Sequence, residues 1–277
     1  MTLKGQFFII IQYNIPMKSF QHPLWGYEIQ IPNTWFHMRF KDKDGFAANP
    51  KAFEPDYEGE RLGQLLIHGE WNALQKPAEV LWKQHISKTA MLLGAKDIAS
   101  APWSIKGYSG YEVEIVLPKK SEKRLWAGVL ERGWLVLTFM VLHWKVNRES
   151  FEPLVSEVIK SLRFIEQAKG VSTTQKGIPL PPGVTPADPS TIINDILEPE
   201  AWQAYQSHHP LGQLQAFYTR ELPQYEWDIE EYIPFPNQGE HPFARYKINK
   251  GDRSSLIGLF SGTEKDEHNM IVLKKTT

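Results

Sequence analysis

Between Trp134 and His143 the chain is apolar at almost every position, Trp134-Leu135-Val136-Leu137-Thr138-Phe139-Met140-Val141-Leu142-His143. The run is far shorter than the ~20 residues a membrane-spanning helix needs. A half-solvated strand would alternate, so a run that is apolar in both parities belongs to a strand covered on both faces. The segment is therefore expected at the centre of a sheet with packed layers above and below it. That expectation restricts the fold to layered architectures.

The flanking sequence supplies the layers. Tyr111, Val113, Ile115 and Leu117 alternate with Glu112 and Glu114, and a polar tip at Lys119–Lys123 leads into a strand from Leu125 to Glu131. Arg132-Gly133 then turns the chain into the central run. Phe151, Leu154, Val155, Val158, Ile159 and Leu162 recur at three and one, the stripe of a helix that buries one side. A second helix is expected from Pro77, with Ala78, Trp82, Ile86, Ala90 and Leu93 on one face and Gly94 as its cap. Upstream, Trp25, Tyr27, Ile29 and Ile31 alternate as a half-buried strand, and Leu62–His68 and Phe7–Ile11 read as two more. Lys41–Glu60 is polar and reads as a long loop.

From Glu166 to Ser190 prolines and glycines interrupt every period, which predicts an extended linker, semi-rigid where the prolines cluster. Beyond it, Pro210 opens a helix with Leu211, Leu214, Phe217, Tyr218 and Leu222 on one side, stopped by Pro223. Tyr225–Ile233, Ala244–Ile248, Ser255–Phe260 and Asn269–Leu273 read as strands. The expected fold class is α+β: an antiparallel sheet with helices on its faces at residues 1–166, a linker at 167–190, and a smaller α+β domain at 191–277. A length of 277 residues suits two domains.

Composition excludes several chemistries. The chain has no cysteine, which removes disulfides, thiolate zinc sites, iron–sulfur clusters and a cysteine nucleophile. Net charge is −1, with residues 1–169 at +4 and residues 170–277 at −5. So mild a split implies neither nucleic-acid nor membrane binding. No spanning segment, export-signal core or lipid-attachment cysteine is visible, so a soluble, cytoplasmic protein is the default expectation.

A search for reactive constellations finds only fragments. The Gly-rich phosphate loops are absent. Gly107-Tyr108-Ser109-Gly110 opens a strand and lacks the last glycine of a nucleophile elbow. Asp42-Lys43-Asp44-Gly45 falls short of a calcium loop, because Phe40 and Lys51 would occupy its first and twelfth ligand positions; it reads as a polar turn. His208 and His209 are neighbours and are expected to diverge rather than converge on a metal. Glu226, Asp228, Glu230 and Glu231, with Asp266 and Glu267, read as a solvated acidic face, and Lys119, Lys120, Lys123 and Arg124 as a solvated basic tip. Trp71 and Trp103 sit at element ends, where tryptophan marks half-buried anchors or binding surfaces, and they are the candidate recognition residues.

Four features of residues 20–165 together carry a resemblance. They are Trp25-Gly26-Tyr27-Glu28-Ile29-Gln30-Ile31-Pro32-Asn33-Thr34-Trp35, the helix at 77–93, the Gly107–Glu112 entry to the meander, and the close Ile159-Lys160-Ser161-Leu162-Arg163-Phe164. This part of the chain resembles the PsbP-like, Mog-like α/β/α sandwich family, which includes photosystem accessory proteins, a Ran-binding factor and bacterial lipoproteins. The C-terminal part is similar to a small α+β module of unknown role, in Phe217-Tyr218-x-x-Glu221-Leu222 and Trp227. The resemblance implies a non-enzymatic accessory or binding role with another protein as partner and no cofactor, and it allows an exported location. It carries no functional residues across. The alternatives are a carrier of a small apolar or sugar-like ligand in an aromatic-lined cleft, and a hydrolase or metal enzyme assembled from distant residues.

Overall fold

The computed structural model describes residues 15–40, 43–54, 62–87, 100–116, 122–191, 198–236, 243–262 and 268–274. The expected strand at Phe7–Ile11, the helix positions Ala90, Leu93 and Gly94, and the acidic pair Asp266 and Glu267 lie outside these residues.

The first part of the chain forms β1 (Met17–His22), β2 (Tyr27–Pro32), β3 (Phe36–Arg39), β4 (Lys43–Ala47), β5 (Gln64–Trp71), α1 (Ala78–Trp82), β6 (Ala101–Ile105), β7 (Tyr108–Val116), β8 (Lys123–Arg132), β9 (Leu135–Trp144), α2 (Arg148–Lys160) and β10 (Arg163–Phe164). Seven of these strands make one antiparallel sheet in the order β3-β4-β5-β9-β8-β7-β6, so β9 is its middle strand. Its two apolar faces have separate uses. Leu135, Leu137, Phe139 and Val141 point into a core closed by Phe151, Val155, Val158 and Ile159 of α2 and by Tyr27, Ile29 and Ile31 of the small sheet β1-β2-β10. Val136, with Met140 and Leu142, faces Leu81, Trp82 and Ile86 on the other side. Within the described residues, α1 passes into a π-helical turn over Lys83–Ser87.

Two expectations for this region are corrected. Lys41–Glu60 is not one loop, since β4 and a 3₁₀ turn at Pro50–Phe53 lie within it. Asp44, read as part of a polar turn, is buried in β4 because four side chains from elsewhere in the fold surround its carboxylate.

Gly110 of β7 lies close against the backbone of β8. A Cβ built there would lie 1.7 Å from the carbonyl oxygen of Val129, a backbone atom that cannot step aside. Gly110→Ala is therefore expected to cost about 3 kcal/mol, measured by urea unfolding. The exposed neighbour substitution Ser109→Ala should stay within about 0.5 kcal/mol of wild type.

The second part forms β11 (Ser172–Thr173), β12 (Pro179–Leu180), β13 (Thr185–Ala187), β14 (Trp202–Ser207), α3 (Leu211–Gln224), β15 (Asp228–Ile233), β16 (Phe243–Lys250), β17 (Arg253–Phe260) and β18 (Asn269–Lys274). Six strands pair antiparallel in the order β13-β14-β18-β17-β16-β15. The apolar stripe of α3, Leu214, Phe217, Tyr218 and Leu222, packs with Tyr246, Ile248, Ile257, Leu259 and Ile271 of the sheet. Pro223 lies inside the last turn of α3 rather than ending it.

The 167–190 stretch departs from the extended linker expected of it. β11 and β12 pair as a short hairpin, Ile178 and Leu180 are buried in the second core, and Trp227 Nε1 donates to the Gly177 carbonyl at 3.0 Å. Proline removes periodicity, but it leaves the apolar side chains between the prolines free to be buried.

A seam joins the two cores. Arg220 of α3 donates from Nη1 to the Leu24 carbonyl at 2.9 Å and from Nη2 to that of Pro23, while its Nε bonds the fully buried Glu221 at 2.7 Å. Gly26, at φ +70°, leaves the space that the guanidinium fills.

Candidate binding cleft

Four strands and one helix set the walls of an apolar hollow. Strand alternation brings Trp103 and Ile105 of β6, Glu112 and Glu114 of β7, Trp126 of β8, and Val141 and His143 of β9 to one face. Across from them α2 presents Arg148, Glu152, Val155, Ser156 and Ile159. The helix packs over β9 and β2 but leaves the outer strands uncovered, so a cleft of about 640 Å³ remains. That volume lies within the range of small-molecule sites. Gly128, on the same face, is what admits the floor, because a Cβ there would meet both Trp103 and Trp126 at 2.7 Å.

The floor is aromatic. Trp103 and Trp126 meet edge to face, with centroids 5.1 Å apart and planes at 80°, and Trp103 also stands edge-on to Phe139 at 5.8 Å. This is the favoured geometry for aromatic quadrupoles, and it holds the two indoles rigid.

Three carboxylates rim the floor, Glu112 and Glu152 with hydrogen-bond partners and Glu114 in an ion pair. Trp126 Nε1 donates to Glu112 Oε2 at 3.0 Å. Arg148 Nε donates to Glu152 Oε2 at 2.9 Å, and its Nη2 lies 3.6 Å from Glu114 Oε1. The Nε2 of His143, a buried residue, meets Glu152 Oε1 at 3.0 Å. The hydrogen bond from Arg148 to Glu152 and the nearby negative charges raise the arginine's affinity for its proton. Lys106 and Lys160 add cationic ends at the mouth. Chemically, this is an apolar platform ringed by fixed acceptors and donors of balanced charge. It can stack a ring and hydrogen-bond its substituents.

The two tryptophans singled out from sequence have different fates. Trp103 is part of this floor. Trp71 lies at the seam, stacked on Trp134 with centroids 5.9 Å apart, and its Nε1 donates to Tyr232 OH at 2.7 Å. Tyr232 OH in turn donates to Gln215, so Trp71 is tied into a polar chain between the cores.

The other sequence fragments stay dispersed. His208 and His209 diverge: His209 Nε2 meets the Pro182 carbonyl at 2.9 Å, while His208 Nε2 faces His268 Nε2 at 3.0 Å. Among the described residues no group of three or more metal-ligating side chains gathers. Glu226, Glu230 and Glu231 pair with Lys250, Lys247 and Arg245 on the solvated side of β15 and β16. Ser109 is an exposed strand residue. Sequence reasoning missed Trp126, Glu112, Arg148 and Glu152 as a group. The available signal was Glu112 and Glu114 on the polar side of a strand whose neighbour carries Trp126 in the same alternation.

No family model matches the chain, and no curated protein does. Among solved structures, cyanobacterial PsbP (CyanoP) from Synechocystis sp. PCC 6803 is similar at 13% identity, covering 59% of this chain and 98% of its own, with a TM-score of 0.40. The Saccharomyces cerevisiae Ran-binding protein Mog1p is similar at 7% identity over 55% of this chain and 96% of its own, with a TM-score of 0.38. A Bacteroides thetaiotaomicron structure is similar at 10% identity over 89% of this chain and 87% of its own, also at 0.38. The first two are of the kind to which the sequence resemblance pointed. Among the described residues no helix is long and apolar enough to cross a membrane.

Proposed function

We propose that the chain is a non-catalytic binding protein whose cleft between the outer strands of the large sheet and α2 takes a small, uncharged, sugar-like ligand. The observation that carries this reading is the edge-to-face Trp103–Trp126 floor bordered by three carboxylates, two of them hydrogen-bonded and the third in an ion pair. A sugar ring has an apolar face of C–H groups that stacks on indole, and hydroxyls at its rim that donate to carboxylates and accept from arginine. Opposite charges stand close together around the cleft, which favours a neutral ligand over an ionic one. This reading ranks a small ligand ahead of the protein partner that the sequence puts first.

Titration of the full chain with a panel of mono- and disaccharides, followed by tryptophan fluorescence and calorimetry, tests the reading. Saturable binding is expected, with Trp103→Ala weakening it about tenfold, the equivalent of about 1.4 kcal/mol. Binding should survive Trp71→Phe, a change outside the cleft. A panel without a ligand, or a Trp103→Ala protein that binds as wild type, rejects the proposal. Turnover of any panel member rejects its non-catalytic part.

A further inference from the structure

A second hollow lies at the seam, apart from the cleft, with a volume of about 350 Å³. Arg39 at the end of β3, Lys43 and Asp44 of β4, and His209, Pro210 and Gln213 around the start of α3 line it. Two cations face one carboxylate, and that carboxylate is already engaged. Tyr27 OH donates to Asp44 Oδ2 at 2.6 Å, His37 Nε2 meets Oδ1 at 2.7 Å, and Arg39 Nε lies 3.3 Å from Oδ1. The terminal guanidinium nitrogens of Arg39 make no hydrogen bond among the described residues, and the Lys43 ammonium has neither hydrogen bond nor ion pair among them.

Gln213 is the independent sign of a ligand. It is only 7% exposed, it lines the hollow, and its side-chain amide has no hydrogen-bond partner among the described residues. Its amide atoms are not sealed from solvent, so a ligand that enters the hollow can reach them. Gln213 stands in the first turn of the 14-residue α3, where the helix dipole is positive and favours negative charge.

We propose that this hollow binds a small oxyanion of the phosphate type, with Arg39 and Lys43 supplying charge-assisted hydrogen bonds and the Gln213 amide fixing its orientation. Guanidinium and ammonium groups bind such oxygens more strongly than neutral donors do. The hollow also has room for the remainder of a phosphorylated molecule. The site is independent of the cleft and does not rest on the sugar-like ligand proposed there.

The test is calorimetric titration of the full chain with inorganic phosphate at low ionic strength, with glycerol phosphate titrated in parallel. Saturable binding is expected, weakened about tenfold by Lys43→Gln and by Arg39→Gln and unchanged by Trp103→Ala. Gln213→Leu should also weaken binding while leaving the melting temperature without phosphate close to the wild-type value, because the amide makes no hydrogen bond among the described residues. Tighter binding of glycerol phosphate supports the site with an organic phosphate as its occupant, and equal binding supports it with the free oxyanion. Failure of both probes to bind, or wild-type affinity in Lys43→Gln, overturns the proposal. The Lys43 ammonium makes no hydrogen bond or ion pair among the described residues, so its variant is a fair test of charge.

Discussion

Arg220→Ala should lower the stability of the protein by about 3–5 kcal/mol, read as a shift in the urea midpoint followed by tryptophan fluorescence and far-UV circular dichroism. The guanidinium is largely buried, and desolvation lowers its pKa from the ordinary arginine value, against the pull of Glu221. Removing it would leave the fully buried Glu221 with one N–H partner, that of Ala168 at 2.9 Å, while Glu221 Oε2 already has none. It would also strand the carbonyls of Pro23 and Leu24 at the seam. Most of the cost is that of an unpaired buried charge, so the double variant Arg220→Met/Glu221→Gln should recover a large part of it. If Arg220→Ala unfolds at the wild-type midpoint, the pair does not hold the seam. If the double variant is no better than the single one, lost packing rather than the orphaned carboxylate sets the cost.

The second large effect is one of pH. His22 is buried, and its Nδ1 accepts from the N–H groups of Leu24 at 3.3 Å and Trp25 at 3.1 Å. Its proton therefore sits on Nε2, 3.7 Å from Asp44 Oδ2. Burial outweighs the attraction of Asp44 and lowers the pKa of His22 to about 4. In the unfolded chain the imidazole takes its proton near its ordinary value of 6.5. Between these two pH values the unfolded state binds more protons than the native one, so stability is fully present above about pH 6.5 and falls as pH drops toward 4. The separation corresponds to about 3 kcal/mol. His209, held low by its own burial, acts in the same direction. Asp44 extends the loss at still lower pH: burial pushes its carboxyl up, but His37, His22, Tyr27 and Arg39 together hold it below the ordinary aspartate value. His22→Asn keeps an acceptor for the two N–H groups and cannot titrate, so its unfolding free energy should fall clearly less steeply than that of wild type from pH 6.5 to 4.5, the remaining slope being that of His209. Equal slopes in wild type and variant would remove His22 as the cause.

Much of the fold was legible because its signals are local. The two-sided apolarity of β9 placed it in the middle of the sheet, and the three-and-one spacing of Phe151–Leu162 described the helix that closes the core. Pro210 marked the start of α3 to the residue. β14 was missed because Trp202–Ser207 buries only Ala204 and Ser207, a spacing of three that has no strand period. The hairpin in 172–180 was missed because its two pairs are set by Trp227 and the second core, some 50 residues away in the chain. Asp44 looked like a turn residue because Tyr27, His22 and His37, which make its burial tolerable, are read in other segments. Of the candidate site, only Trp103 was named beforehand; its partner Trp126 and the carboxylates around them are joined by pairing across strands.

The amino-acid sequence alone determined the strands and helices with a clear apolar period, and which side of each turns inward, because hydrophobic periodicity is written residue by residue along the chain. Tertiary structure decided which polar groups end up together: Glu112 with Trp126, Arg148 with Glu152, Arg39 with Asp44, and Arg220 with the turn at Pro23–Leu24. Those meetings depend on strand register and on how the helices sit over the sheets, and a buried or half-buried polar group is stable only when some distant segment arrives to satisfy it.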